Sequence, residues 1–390
     1  MTSAARILFV DHAAVLGGAE LSLLDIATAF RDRAAVALFE DGPFAAALVR
    51  NRVAVIPLGT GGSLRSIKKD SRVPSPSALI ATVRSIGALA GSARRFDALY
   101  ANSPKSFLIA AGASVLAQRP VFWHLRDILD RSHFSASNIR LLVTVANARA
   151  ACVIANSRAT ADAFASAGGR SNLVRVVHNG IDAAPFQSLD PSIGAEVRAS
   201  LRIPQDAFVV GSFSRLHPWK GQRVLLEALE LLPDVHGLIV GGALFSGEQG
   251  YQNELRERAA RPPLAGRVLL LGSRNDVPEL LAACDVVAHT SVAPEPFGRV
   301  LVEALLARRA LVASSEGGVR EVVQDGVTAL LVAPGDARAL ANAIARLRDN
   351  RALARELADA GWVDVRKRFT REAMLEGVTR AIDETLAGRR

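Results

Sequence analysis

Ile7-Leu-Phe-Val10, a turn through Gly17-Gly18, then Ala19-Glu-Leu-Ser-Leu-Leu-Asp-Ile-Ala-Thr-Ala-Phe30: this opening unit decides the fold. Four apolar residues in a row are too few for a helix and read as a strand buried on both faces. The segment after the glycines carries its apolar residues at helical spacing. The same alternation then repeats. Ala35–Phe39, Val53–Ile56, Ala98–Tyr100, Val121–His124, Ala151–Ile154 and Leu173–Val177 follow as strands, separated by longer segments with helical spacing. Strand–helix alternation implies right-handed crossovers and a parallel sheet.

A less regular stretch with Pro185 and Pro191 reads as a linker over 184–201. A second series begins beyond it. Phe208–Phe213, Gly237–Val240, Val268–Leu271, Val286–His289, Ala310–Ala313 and Ala329–Val332 are its strands, and a helix is expected from about Gly221 to Leu232. From about Ala337 the pattern is helical. The expected organisation is α/β, with a first Rossmann-like domain over 1–183 and a second over 202–366. A C-terminal helix over 367–390 is expected to return to the first domain. Two doubly wound halves are expected to face a central cleft, with ligands at the C-terminal ends of the strands.

Composition agrees. At 390 residues, roughly two to three domains are expected. Half of the residues are hydrophobic, which provides for a large core, and aromatics make up only 5 %. The net charge of +9 favours anionic partners. Zinc-finger spacing, aromatic RNA-binding signatures and long basic runs are missing, which argues against nucleic acid. Cys152 and Cys284 each follow Ala-Ala and precede apolar residues, so buried reduced thiols are expected. No signal-peptide pattern is evident, and no apolar stretch reaches the roughly 18 residues of a membrane span. A soluble cytoplasmic protein is the expectation, with peripheral contact at an anionic membrane face as a further one. That contact is drawn from Arg65, Lys68, Lys69 and Arg72, in the loop between Gly59 and Pro76.

The chemistry concentrates in Ser291-Val-Ala-Pro-Glu-Pro-Phe-Gly-Arg-Val-Leu-Val-Glu303. Pro294 and Pro296 bracket Glu295 and suit the approach to a helix. Glu295 is expected on a loop at a helix N-terminus, and Glu303 about two turns into that helix. A helix N-terminus suits a phosphate, and carboxylates accept hydrogen bonds from hydroxyls. That combination fits a phosphorylated polyol, although two solvated glutamates on an ordinary helix would read the same. Arg215 and Lys220, in Ser214-Arg-Leu-His-Pro-Trp-Lys-Gly221, follow a strand end and can together meet a diphosphate. Gly17 and Gly18 let backbone amides approach an anion, or simply make a tight turn. His124 reads as the end of a strand, where its imidazole could bond a sugar hydroxyl or be structural. No Asp-x-Asp motif, zinc spacing or Gly-x-Ser-x-Gly elbow is found, so no metal cofactor is expected.

The order Gly17-Gly18, His124, Asn179-Gly180-Ile-Asp182, Arg215…Lys220-Gly221, Glu295…Glu303, Glu316-Gly-Gly318, Asp325-Gly326 and Pro334-Gly-Asp336 resembles a retaining, GT-B-fold glycosyltransferase of family 4. The resemblance covers almost the whole chain. It is most specific from Ser291 to Asp336, which matches the family's E-x7-E signature. It implies that Arg215 and Lys220 bind the donor diphosphate, and that Glu295 holds the donor sugar beside Phe297 and Gly298. Glu303 would hold the ribose, with Arg299 and Val300 next to it in the donor site. His124 would sit by the donor sugar near the acceptor, and Gly17 and Gly18 under the diphosphate and acceptor. Arg274 and Asn275 would face the base. Arg308-Arg309 departs from the family's usual Gly-x-Pro turn. The implied partners are a nucleotide-sugar donor and a saccharide or lipid-linked acceptor. The alternatives are another GT-B nucleotide-sugar enzyme, such as an epimerase or sugar-phosphate synthase, and a non-catalytic sugar-nucleotide-binding module.

Overall fold

In the computed structural model, which describes residues 4–59, 76–244 and 246–389, β1 (Ile7–Asp11) is buried at every residue. Period-two alternation explains this. Ile7 and Phe9 face one layer, where Leu23 and Ile26 of the helix Gly18–Ala29 cluster with Met374, Val378 and Ile382 of the helix Arg371–Ala387. Leu8 and Val10 face the other layer, with Phe107 and Ala110 of the helix Pro104–Ala117.

The strands that follow are β2 (Ala34–Leu38), β3 (Ala54–Pro57), β4 (Ala98–Ala101), β5 (Val121–Leu125), β6 (Ala150–Ala155) and β7 (Val174–Val176). With β1 they form one parallel sheet in the order β3-β2-β1-β4-β5-β6-β7. A second parallel sheet holds β8 (Phe208–Phe213), β9 (Val235–Val240), β10 (Val268–Gly272), β11 (Val286–His289), β12 (Ala310–Ser314) and β13 (Leu330–Val332). Its order is β10-β9-β8-β11-β12-β13. Both sheets are therefore doubly wound, with the direction of winding reversing between β1 and β4 and between β8 and β11. The second sheet is also covered on both faces. Val209, Val287 and Leu311 pack on one side, and Val210, Val286 and Val312 on the other.

The chain divides into two compact units, Met1–Gly180 with Arg371–Arg390, and Ile181–Thr370. The C-terminal helix belongs to the first unit. Burying Met374, Val378 and Ile382 there contributes about 1.5–3 kcal/mol each. The segment 184–201 departs from the linker expectation. It carries the helices Ala184–Gln187 and Ile193–Ser200 and is part of the second unit. Arg198 anchors it, donating to the Ala283 carbonyl at 2.9 Å and to Asp285 Oδ2 at 3.0 Å. Proline content marked irregular backbone but carried no information about this anchoring. The basic residues Arg65, Lys68, Lys69 and Arg72 lie outside the described residues. Cys152 and Cys284 are free and buried, and burial pushes their thiols up to about 11 and about 12.

Candidate functional site

In a doubly wound sheet, ligands lie beyond the carboxyl ends of the strands where the winding reverses. In the second unit that point lies between β8 and β11. The chain leaves β8 through Ser214-Arg215, passes a short 3-10 turn over Pro218–Lys220, and enters the helix Gln222–Glu230. The fully buried Gln222 ties this loop back on itself, donating to Ser214 Oγ at 2.8 Å and to the Arg215 carbonyl at 2.9 Å. Gly221 sits at φ +67°, and a Cβ there would lie 1.9 Å from the Thr290 oxygen. Only glycine permits that approach. The approach lets two loops join side by side. Thr290 Oγ1 donates to the Lys220 carbonyl at 2.9 Å, and the Val292 amide donates to the Trp219 carbonyl at 2.8 Å.

This joining brings Lys220 and Glu295 together. Lys220 Nζ lies 2.6 Å from Glu295 Oε2 and 3.9 Å from the centre of the Trp219 ring. Ser291 Oγ donates to the same oxygen at 2.9 Å, and His289 Nε2 meets it at 3.0 Å. Ser314 Oγ lies 3.3 Å from His289 Nδ1. A carboxylate can only accept, so His289 carries its proton on Nε2. Among the described residues, every hydrogen bond to this carboxylate ends on Oε2, which leaves Oε1 for an incoming hydroxyl. Burial alone would raise the Glu295 carboxyl. The Lys220 charge and His289 outweigh it and hold the group well below the usual carboxylate range. Burial pulls the Lys220 ammonium down, Glu295 opposes that, and Arg215 adds to it. Arg215 leans toward Glu248, at 3.6 Å, and its guanidinium lies 6.0 Å from the Trp219 ring centre.

The backbone around Glu295 is fixed by Gly317-Gly318. The Gly318 amide donates to the Glu295 carbonyl at 2.7 Å. A Cβ on Gly317 would lie 2.3 Å from that same oxygen. Beyond Glu295 the helix starts later than expected. It runs Arg299–Leu306, with Gly298 in left-handed conformation before it, so Glu303 lies about one turn in. Two prolines and a left-handed glycine delay the start. Arg299 Nε lies 3.5 Å from Glu303 Oε1. Phe297 is 1 % exposed and packs edge-on against Phe369, so it is part of the core beneath this loop. Val300 is partly buried against the same core. Arg274 and Asn275 follow β10, two strands away from the reversal, and Arg274 pairs with Asp276.

The corresponding point of the first unit holds residues that, Asn179 apart, no motif marked. Asp11, at the end of β1, is fully buried. Its Oδ2 accepts from Asn102 Nδ2 at 2.6 Å, and its Oδ1 accepts from the His12 amide at 2.6 Å. Arg126, just past β5, donates to Asn102 Oδ1 and to Asn179 Oδ1, both at 2.7 Å. Its Nη2 lies 3.1 Å from His124 Nδ1. Gly17 precedes the helix Gly18–Ala29, and its amide donates to Glu20 Oε2 at 2.9 Å. Gly18 is exposed. His124 is not a strand end, because β5 continues through Leu125. Its ring is fully buried and lies 2.5 Å from the Tyr100 hydroxyl. Burial, then the nearby Arg126, pushes it well below the ordinary imidazole value, so it stays neutral. Sequence reasoning missed Asp11, His12, Asn102 and Arg126, and named Asn179 only as part of the motif that carries the resemblance. The one available signal was that each falls at or just beyond a strand end.

Among the described residues no three His, Cys, Asp or Glu side chains group to hold a metal ion, and no helix is long and apolar enough to cross a membrane.

Comparison with known proteins agrees with this architecture. Residues 195–362 match the family model of glycosyl transferases group 1, and residues 17–180 match that of the glycosyl transferase 4-like domain. The crystal structure of Anabaena HepE in complex with UDP and glucose superposes with a TM-score of 0.89 at 39 % identity, covering 97 % of this chain and 99 % of that one. The lipopolysaccharide core biosynthesis glycosyltransferase LpsE of Rhizobium meliloti is 30 % identical over 225 residues, covering 58 % of this chain and 62 % of LpsE. A D-inositol 3-phosphate glycosyltransferase of Mycolicibacterium gilvum is 39 % identical over 161 residues, 41 % of this chain and 35 % of that protein. The matches thus span less than two thirds of either curated relative. Sucrose-phosphate synthase from Thermosynechococcus elongatus, at 20 % identity and a TM-score of 0.79, shares the fold. With both halves matched and a structural relative covered end to end, the chain belongs to the group 1 glycosyltransferases of the family 4 type, and its fold is GT-B.

Proposed function

We propose that this protein moves a sugar from a nucleoside-diphosphate sugar to a saccharide or lipid-linked acceptor, with retention of anomeric configuration, in the synthesis of a cell-surface polysaccharide or glycolipid. The observation that carries the reading is the Glu295 carboxylate. Three donors hold one oxygen, the other is left for a sugar hydroxyl, and Lys220, one of the three, has Arg215 near it on the same loop after β8. Two fixed cations suit a departing diphosphate, whose negative charge grows as the glycosidic bond breaks. The backbone at Gly298–Val300 opens the helix Arg299–Leu306 and suits a phosphate, and Glu303 suits the ribose hydroxyls.

In this reading the bond from the anomeric carbon to the phosphate oxygen breaks first, giving an oxocarbenium-like species. The acceptor oxygen then bonds to that carbon from the same face. Its proton passes to the departing phosphate oxygen. Lys220 and Arg215 supply positive charge that a metal ion would otherwise supply. His124, being buried, serves by holding Arg126 and Tyr100 in place.

HepE binds UDP-glucose, so a UDP-linked hexose is the first donor to test. A thermal-shift screen of nucleotide sugars should give stabilisation with the true donor, about 2.7 kcal/mol at 100 times its Kd. Transfer should then follow with acceptor and yield a product whose anomeric proton coupling matches that of the donor sugar. Glu295→Gln and Lys220→Met should abolish transfer in folded protein. Full activity in Glu295→Gln would refute the assignment, and conversion of the donor sugar without acceptor would point to an epimerase instead.

A further inference from the structure

We propose that His12 is the residue that orients the acceptor, its Nε2 accepting a hydrogen bond from an acceptor hydroxyl next to the one that receives the sugar, which keeps its own proton for the departing phosphate oxygen. This rests on the glycosyl-transfer reading above. His12 is the first residue beyond β1, at the point where the winding of the first sheet reverses. Around it the polar groups are buried. Asp11 is 0 % exposed, Asn102 1 %, Arg126 8 % and Ser103 9 %. The His12 side chain, at 26 %, is the open member of this cluster.

The ring is held through one nitrogen. Nδ1 lies 2.8 Å from Ser103 Oγ and 3.3 Å from Asp11 Oδ1. The carboxylate favours a proton on the facing nitrogen, so Nδ1–H donates to Ser103 Oγ. The Ser103 hydroxyl can pass its own proton toward Ser106 Oγ, 2.9 Å away, and the Ser106 hydroxyl donates to the Ser103 carbonyl at 3.0 Å. That chain of donors leaves the Nε2 lone pair as the acceptor of the neutral ring. Among the described residues, no hydrogen bond uses Nε2. Asp11 is itself fixed by Asn102 and by the His12 and Ala13 amides, so the imidazole has a preset tautomer. A group that accepts one hydrogen bond from a strand-end position suits a substrate hydroxyl and has no evident structural task at Nε2.

The two ring nitrogens can be separated by substitution. Asn at position 12 reaches about as far as Nδ1 and can keep the Ser103 contact, whereas Gln reaches as far as Nε2. The test uses UDP-glucose as donor with a panel of methyl glycopyranosides and inositol as acceptors, UDP binding by calorimetry, and thermal melts. His12→Asn and His12→Phe should lower transfer by about tenfold or more, the loss expected for one hydrogen bond, with a raised acceptor KM. UDP affinity and melting temperature should stay near wild type, and His12→Gln should retain more transfer than His12→Asn. Transfer by His12→Asn at the wild-type rate, or loss of UDP binding in step with transfer, would overturn the role. Absence of transfer by the wild-type protein to every acceptor would instead overturn the reading of function on which it rests.

Discussion

Glu20 in the first unit and Glu295 in the second are buried to similar depth, 8 % and 6 % exposed, yet their carboxyls shift in opposite directions. Burial, and then the like charge of Asp11, push Glu20 up to about 7. Burial pushes Glu295 the same way, but Lys220 and His289 reverse the outcome. The two sheets share one strand order over six strands, the first adding β7 at its edge, so the topology does not set the difference. The neighbours delivered by the loops do. The second unit surrounds its carboxylate with cationic and neutral donors. The first surrounds Asp11 with amides and places Arg126 one asparagine away.

The largest test of that contrast breaks the buried pair. Lys220→Ala should cost about 3–5 kcal/mol in urea unfolding, because it leaves the Glu295 charge buried without its cation. Lys220→Met combined with Glu295→Leu should recover much of that stability and none of the transfer. A single variant as stable as wild type would mean the pair is not what holds these loops together. Next in size is Gly221→Ala. It forces a side chain into left-handed backbone and against the Thr290 oxygen, and about 2–4 kcal/mol is expected. Gly168→Ala, also at positive φ but with nothing within 4 Å, should cost clearly less. Equal costs would show that loop joining at Gly221 is unimportant.

Titration sharpens the comparison at smaller scale. A carboxyl raised in the folded state opposes folding once the unfolded chain ionises. The Glu20 penalty should therefore grow from pH 4.5 to about 7 and then level off. Glu20→Gln keeps an oxygen for the Gly17 amide and should be more stable at pH 8 by on the order of 2–3 kcal/mol, with little difference near pH 4. Glu295 is depressed, so its stabilisation is present above the usual carboxylate value and is lost as pH falls below it. The deficit of Glu295→Gln should therefore shrink in acid. Urea midpoints across pH check both: on going to acid the variant-minus-wild-type difference should fall for Glu20→Gln and rise for Glu295→Gln, and signed differences that moved the same way would contradict the assigned partners. The smallest effect belongs to the surface. Arg223 and Glu254 form a bidentate pair with both side chains about half exposed, and its removal should change stability by roughly 0.2–1 kcal/mol.

Much of the second unit's site was legible because it is local. Glu295, Gly298 and Glu303 lie within one loop and helix, where proline, glycine and carboxylate spacing carry their usual meaning. Arg215 and Lys220 likewise follow a recognisable strand. The helix start was misplaced because Gly298, in left-handed conformation, holds off the first turn until Arg299. The first unit was opaque for the opposite reason. Asp11 and Asn102 are 91 residues apart, and Arg126 and Asn179 are 53 apart. Each is a common residue type with no spacing to report. His124 misled because a strand end was placed one residue early.

The sequence by itself determined the order of strands and helices, two doubly wound units and the loop that carries Glu295, because apolar periodicity and turn residues act over a few positions. Only the tertiary structure decided which groups meet at the strand ends. It places Ser291, His289 and Lys220 on one oxygen of Glu295, Asp11 against Asn102, and the C-terminal helix on the first sheet. Parallel pairing joins segments far apart in the chain. Burial then makes the identity of each neighbour worth several times what it would be in water.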